Sequence, residues 1–291
     1  MTSNTQRGPI VIIVLSHRYP GQIARLAARL TESGDTMVAI HHDPSGEPPR
    51  LRASSRVALI PDPAPCQWGR LSQVAALRRS LLWVRANVRE LGWALIISGQ
   101  DYPIRGMSSI KAELDAAGCD AFMRHFRADG DPAADVHPWQ ATTRRRYLYR
   151  RRLPASARSV PLPWQRRHPY RDGVHLYVGD VWVNLSARAV GKVLDSPLNG
   201  PLLRYLRWAP NPDETWAMTV ALNGTPELAV VNDSRRFIRW PQGSGAWHPA
   251  VLEPADLPAL RGSGAFFARK VDPVRWPQVC DQLDDLARDR H

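Results

Sequence analysis

Ile10-Val11-Ile12-Ile13-Val14-Leu15-Ser16-His17 is the stretch that decides the fold. Its apolar run is unbroken and rich in β-branched residues, as expected for a strand covered on both faces. A strand with one wet face would alternate polar and apolar side chains. Downstream, Pro20 opens a helix in which Ile23, Leu26, Ala27 and Leu30 recur at helical spacing, and Gly34 ends it. Met37-Val38-Ala39-Ile40 reads as a second strand running into His41-His42-Asp43-Pro44, and Arg56-Val57-Ala58-Leu59-Ile60 as a third. An amphipathic helix over about 72–91 leads into Trp93-Ala94-Leu95-Ile96-Ile97, a fourth strand ending at Ser98-Gly99-Gln100-Asp101. Strands alternating with helices predict an α/β fold: a mostly parallel, doubly wound sheet with helices on both faces. Ligands of such sheets bind beyond the carboxyl ends of the strands, which gathers Ser16, His17, Asp43, Ser98 and Asp101 around one crevice.

The rest of the chain is expected to complete one domain over 1–291. A nucleotide-binding half covers 9–123, an arginine-rich insert 124–175 and a catalytic and acceptor half 176–291. Arginines 144, 145, 146, 150, 151, 152, 158, 166, 167 and 171 crowd the insert with no acid among them, which reads as a long irregular surface segment. Leu176 to Leu185 reads as a strand. Helices are expected near Ala187–Leu194 and about Pro212–Leu222, with a closing helix from Pro277.

Composition narrows the function classes. The chain has 291 residues, and its 39 Lys+Arg exceed 27 Asp+Glu for a net charge of +12. Hydrophobic content of 44% excludes disorder throughout. A basic surface implies acidic company, either phosphates, anionic glycans, nucleic acid or a membrane surface. Only Lys111, Lys192 and Lys270 are lysines. Cys66, Cys119 and Cys280 are too few and scattered for a disulfide framework or a zinc site. The polar N-terminus and the six-residue apolar run are too short for a signal peptide or a membrane span, so the expectation is a soluble, cytoplasmic chain. Most of the 11 tryptophans are expected in the core.

Several constellations carry chemistry. Asp129-Gly130-Asp131 matches the Asp-x-Asp string with which many nucleotide-sugar enzymes hold a divalent cation, but beside Arg127 in a loop entering the insert it reads rather as a solvated acidic turn. His41-His42-Asp43 is not read as a metal cluster, because neighbouring strand residues face opposite ways; one histidine is expected buried and one turned to the crevice. Gly243-Ser244-Gly245 and Gly262-Ser263-Gly264 lack a phosphate-loop fingerprint and read as turns. Glu214 in Asn211-Pro212-Asp213-Glu214-Thr215-Trp216 stands at a helix start. There it is either a partner of the helix dipole or a general base beside the aromatic Trp216. Ala265-Phe266-Phe267-Ala268-Arg269-Lys270 is an apolar, strand-like run delivering two cations at its end, alone a snorkelling surface pair or, in a metal-free phosphotransfer-type site, the fixed cations that stabilise a leaving diphosphate.

In order, His42-Asp43-Pro44, Trp68-Gly69 with Ser72, Ser98-Gly99-Gln100-Asp101-Tyr102-Pro103, Pro212-Asp213-Glu214 and Phe266-Phe267-Ala268-Arg269-Lys270-Val271-Asp272 form a recognisable set. The set resembles the core-2/I-branching β-N-acetylglucosaminyltransferase and peptide O-xylosyltransferase family over about residues 9–275. The resemblance implies a GT-A-like nucleotide-sugar fold and inverting, metal-independent transfer from a UDP-sugar, with no cofactor. Glu214 then corresponds to the catalytic base and Lys270 to the lysine on the diphosphate. Asp43 with Ser16 and His17 corresponds to uridine contacts, and Ser98 and Asp101 lie toward the donor sugar. Trp216 and Arg146 are assigned to the acceptor, for which the insert supplies the setting. Animal members carry a membrane anchor and many cysteines, so the resemblance implies a bacterial-type relative. One position departs from the family: its second phosphate cation lies two residues after a histidine, where this chain has Ala250 after His248-Pro249. Arg239, Arg261 and Arg269 are candidates to replace it. Two rival readings are a metal-dependent transferase using Asp129 and Asp131, and a non-catalytic polyanion or nucleic-acid binder through 144–171. The latter lacks the aromatic interleaving of single-strand binders.

Overall fold

The computed structural model describes residues 8–52, 54–131, 133, 138–153, 159–166, 173–241 and 248–288. Arg158, Arg167, Arg171 and the Gly243-Ser244-Gly245 string lie outside the described residues.

The opening run forms β1 (Ile10–Ser16), buried almost end to end, followed by α1 (Pro20–Leu30) and β2 (Thr36–His42). Next come β3 (Val57–Leu59), α2 (Leu71–Asn87), β4 (Trp93–Ser98), β5 (Asp101–Pro103) and α3 (Met107–Ala116). Short strands β6 (Ala121–Phe122) and β7 (His125–Arg127) lead to α4 (Pro138–Leu148), β8 (Arg150–Arg152) and β9 (Ser159–Pro161). Then follow β10 (Tyr177–Gly179), β11 (Asn184–Ser186), α5 (Ala187–Asp195), α6 (Asn199–Leu206) and α7 (Asp213–Ala221). The chain finishes with β12 (Val230–Val231), β13 (Arg236–Ile238), α8 (Leu257–Gly262), β14 (Phe267–Arg269) and α9 (Pro277–Leu286).

The central sheet has the order β12-β6-β11-β4-β1-β2-β3. Its β3-β2-β1-β4 part is parallel, as the apolar runs predict, whereas β11 runs antiparallel to both β4 and β6. This is a mixed α/β architecture with a mostly parallel sheet. Alternate β1 residues feed two cores: Val11 and Ile13 pack with α2, α5 and α7, while Ile10, Ile12 and Val14 pack with α1, α3 and α9. Each fully buried Val or Ile contributes about 1.5–3 kcal/mol, so the run that decides the topology also stabilises it.

Three expectations are corrected. Helix α2 stops at Asn87 rather than 91, because the chain must turn to enter β4 and Gly92 donates to the Pro9 carbonyl. At that crossing Gly8 and Gly92 approach so closely that a Cβ on Gly92 would lie 2.6 Å from the Gly8 oxygen. Leu176–Leu185 is two strands in different sheets: β10 pairs with β7, then the chain breaks at Asp180 and β11 joins the central sheet. The break is anchored by the Asp180 carboxylate, which accepts from Arg124 and Ser234. The described residues of the insert also do not form an irregular surface segment. Helix α4 buries Tyr147 and Leu148 in the core, and Arg144, itself buried, donates to the carbonyls of Arg127, Ala128 and Gly130.

A second, three-stranded sheet, β13-β14-β5, sits beside the strand ends, with Arg269 opposite Asp101 in the β14–β5 register. It carries the C-terminal basic string to the mouth of the parallel strands.

Candidate active site

Loops at the carboxyl ends of β1, β2 and β4 are stitched by backbone bonds: Asp43 to Ser16 at 2.8 Å and Gly99 to Leu15 at 3.0 Å. The C-terminal string joins them, since the Val271 amide donates to Gln100 and the Tyr19 hydroxyl reaches Asp272 at 3.4 Å. This convergence follows from the parallel sheet, which puts every strand end on one edge.

Several residues singled out from sequence hold the crevice together rather than open into it. Both Asp43 oxygens are engaged, one by the Ser45 amide and hydroxyl and the other by the Cys66 amide at 2.6 Å. Burial raises the Asp43 pKa, and those bonds outweigh it and hold the pKa below the ordinary carboxylate value. Asp101 is 0% exposed and accepts from the Ser98 amide and Arg269, so direct contact with a donor sugar is corrected to a role in positioning Arg269. The Ser98 hydroxyl accepts from the Gln100 amide within the same turn. Both histidines of His41-His42 are buried, against the expectation that one faces the crevice. His41 Nε2 accepts from the Ala64 amide, and His42 Nδ1 meets the Ser16 hydroxyl at 2.9 Å. Gly46 lets the chain fold over them, as a Cβ there would lie 2.2 Å from the His17 oxygen. His17 is exposed in the crevice, its pKa lowered by partial burial and the adjacent Arg18.

The cations divide sharply. Arg269 stacks on Trp182 at 4.2 Å and pairs with Asp101 at 3.3 Å. Arg239 pairs with Glu253 at 2.8 Å and Asp256 at 2.9 Å, so its guanidinium is already neutralised. Ala250 donates to the Arg239 carbonyl and Leu252 to the Lys270 carbonyl, which sets the departing position between the ends of β13 and β14. Lys270 follows Arg269 across a cis peptide bond, and its ammonium forms no ion pair or hydrogen bond among the described residues. Burial lowers its pKa, as do Arg269 and Arg18 beside it. Arg18, missed in the sequence, therefore lies within electrostatic range of Lys270, its guanidinium over the Tyr19 ring at 4.9 Å. Its signal was position alone: it follows His17 in the loop after β1.

Glu214 lies in the first turn of α7, behind Asn211 in a left-handed conformation. Its Oε2 accepts from Tyr147 at 2.7 Å and lies 3.9 Å from Arg146, while Oε1 has one long bond from Asn211 at 3.3 Å. A third of the side chain (33%) remains open to solvent. Burial raises its pKa above the ordinary value, with Tyr147, Arg146 and Asn211 pulling the other way. A raised pKa and an underused oxygen are what a proton acceptor needs. Asp213, immediately before it, is buried, and burial and the Glu214 charge raise its pKa too. Tyr147 was also missed, because it hides among the arginines of the insert.

Trp216 is 0% exposed and donates to Asn199 at 2.7 Å, so its expected place in the acceptor site is corrected to the core. Exposed indoles belong instead to residues such as Trp68 (66%), which meets His248 edge to face at 5.8 Å. Asp129 accepts from Arg127 at 3.2 Å and faces His175 at 3.5 Å, and Asp131 caps the Ala133 amide. Among the described residues, no three His, Cys, Asp or Glu side chains group as metal ligands. Gly262-Ser263-Gly264 closes α8 rather than forming a separate turn: Gly262 is its last residue and Gly264 takes a φ of 66° just beyond it.

The site thus combines a mostly parallel α/β sheet, a lysine without an ion pair among the described residues, and a carboxylate one-third open to solvent at the start of α7. A family model, Core-2/I-Branching enzyme, matches residues 20–259. The chain belongs to this family of glycosyltransferases. The family implies a nucleotide-sugar donor and an acceptor. A comparison with curated proteins returned no match. Among the described residues, no helix is long and apolar enough to cross a membrane.

Proposed function

We propose that the chain is a metal-independent, inverting glycosyltransferase of GT-A type that moves a sugar, N-acetylglucosamine, xylose or similar, from a UDP-sugar to an acceptor hydroxyl. The observation that carries this reading is Glu214, half-open at the start of α7 with Oε1 held by one 3.3 Å bond. That oxygen takes the acceptor proton as the acceptor oxygen attacks the anomeric carbon from the face opposite UDP. The C–O bond to the diphosphate breaks with inversion, giving a β linkage. Lys270 stabilises the departing diphosphate, and Arg18 supplies the second cation that Ala250 does not. Both can do so because no carboxylate of the described residues pairs with them. Ser16, His17 and the Asp43 loop form the nucleoside end. Arg146 tunes Glu214 and faces the acceptor.

The test is UDP-sugar turnover with excess EDTA, comparing the natural protein with Glu214→Gln. Turnover is expected to survive EDTA and to fall about 10²–10⁴-fold in the variant, with UDP affinity retained. Loss of turnover on chelation, or full rate in Glu214→Gln, would sink the mechanism.

A further inference from the structure

A second candidate site lies on the far side of Tyr147 from Glu214. Its lining is Arg151, Leu162, Trp164, Arg166, Tyr205 and Trp208, a groove between the arginine-rich segment and α6. Guanidinium groups cover its aromatic faces: Arg166 over Tyr205 at 4.1 Å, Arg151 over Trp208 at 4.8 Å and Arg207 over Trp208 at 5.6 Å. Arg166 spends its donors on carbonyls, 2.7 Å to Tyr205 and 3.4 Å to Tyr147. Among the described residues no aspartate or glutamate pairs with Arg151, Arg166 or Arg207. Burial lowers the Arg166 pKa and so does the Arg151 charge, with Tyr205 pulling the other way. Trp164 stays 64% exposed and has no ring partner among the described residues.

We propose that this groove binds the acceptor of the transfer reaction and that the acceptor is an acidic saccharide carrying a carboxylate. The inference rests on the transferase reading above and names its substrate class. A pyranose ring presents an apolar face of C–H bonds that suits the open indole of Trp164. A carboxylate on the next sugar supplies an anion for the exposed Arg151 guanidinium, which pairs with no carboxylate among the described residues, in the planar geometry it matches. Nucleic acid fits less well, since it needs successive open aromatic faces, and the rings of Tyr205 and Trp208 are already stacked by arginine. The groove is coupled to the reaction carboxylate by one residue. Tyr147 accepts from Arg166 and from Tyr205 at its carbonyl, and its hydroxyl donates to Glu214.

The experiment is calorimetric titration of the full chain with oligogalacturonate, its methyl ester, phosphorylated oligomannose and a mixed-sequence single-stranded DNA, each at constant salt. Oligogalacturonate is expected to bind at least about tenfold more tightly than the ester, and Trp164→Ala and Arg151→Ala each to weaken it about tenfold. Both side chains are exposed, so unchanged circular-dichroism spectra separate lost binding from lost folding. Equal affinity for acid and ester, or no effect of either substitution, overturns the proposal. Tighter binding of the phosphorylated sugar overturns the carboxylate assignment, and tighter binding of DNA overturns the saccharide. UDP is titrated in parallel. Absent UDP binding with intact oligogalacturonate binding sinks the UDP-sugar donor and leaves the groove a saccharide site, whereas the reverse sinks the groove alone.

Discussion

The parallel half of the molecule and the arginine-rich segment solve the same problem, placing polar groups in a folded chain, in opposite ways. In the parallel half, apolar strands carry few polar residues, and those few collect at the strand ends, where backbone amides fix them, as with Asp43 and Asp101. In the segment 144–166, cations penetrate the protein and serve as cross-braces for carbonyls, Arg144 and Arg166 each holding three of them. Charge density therefore does not locate the donor chemistry. On the proposed function the cations for the donor are Lys270 and Arg18, which have no ion pair among the described residues and lie outside the arginine-rich segment.

The largest expected effect breaks this contrast at its structural end. Arg144→Ala strands three carbonyls around the Asp129 turn and is expected to cost about 3–4 kcal/mol in denaturant unfolding. A loss below about 1 kcal/mol would mean that the braces are decorative. At the functional end, Lys270→Ala is expected to weaken UDP binding about 10–100-fold, with a smaller loss in Arg18→Ala. The Lys270 pKa is lowered in the free protein and rises when a diphosphate arrives. UDP affinity is therefore expected to fall as pH climbs through the free-state value, with proton uptake on binding. Unchanged affinity in both variants would move the phosphate site elsewhere.

Between these lies the clasp of α9 on α1. Asp284 accepts from Arg25, Arg29 and Tyr102, and although burial opposes ionisation, those bonds hold its pKa below the ordinary value. Its contribution is complete above the unfolded carboxyl pKa and is lost as pH falls through the folded one. Asp284→Asn is expected to cost about 1–2 kcal/mol at neutral pH and nothing in strong acid, seen as faster amide exchange in α9. The smallest effect is on Tyr147→Phe. Removing its bond raises the Glu214 pKa further, so the acid limb of the pH–rate profile moves to higher pH. An unmoved limb would detach Tyr147 from the base.

The parallel strands were legible because burial on both faces leaves an unmistakable apolar run, as in Ile10–Leu15. Their ends were legible for the same reason, which is how Ser16, Asp43 and Asp101 came to be grouped. The sequence does not say which way a polar side chain points. Asp101 and Trp216 therefore read as ligand contacts yet are sealed in the interior, their partners Arg269 and Asn199 lying 168 and 17 residues away. Tyr147 and Arg18 escaped notice because their importance comes from a neighbour brought by tertiary folding. Strands of two or three residues, such as β12 and β14, are specified by their sheet partners and carry little pattern of their own.

The pairing of β14 with β5 has a consequence in time. The strand that delivers Lys270 is made after nearly all the rest of the described chain, and its partner Asp101–Pro103 waits for it through the synthesis of some 160 intervening residues. On the proposed function, a growing polypeptide has the loops after β1, β2 and β4 before it has Lys270, so nucleotide capture would wait until β14 pairs with β5.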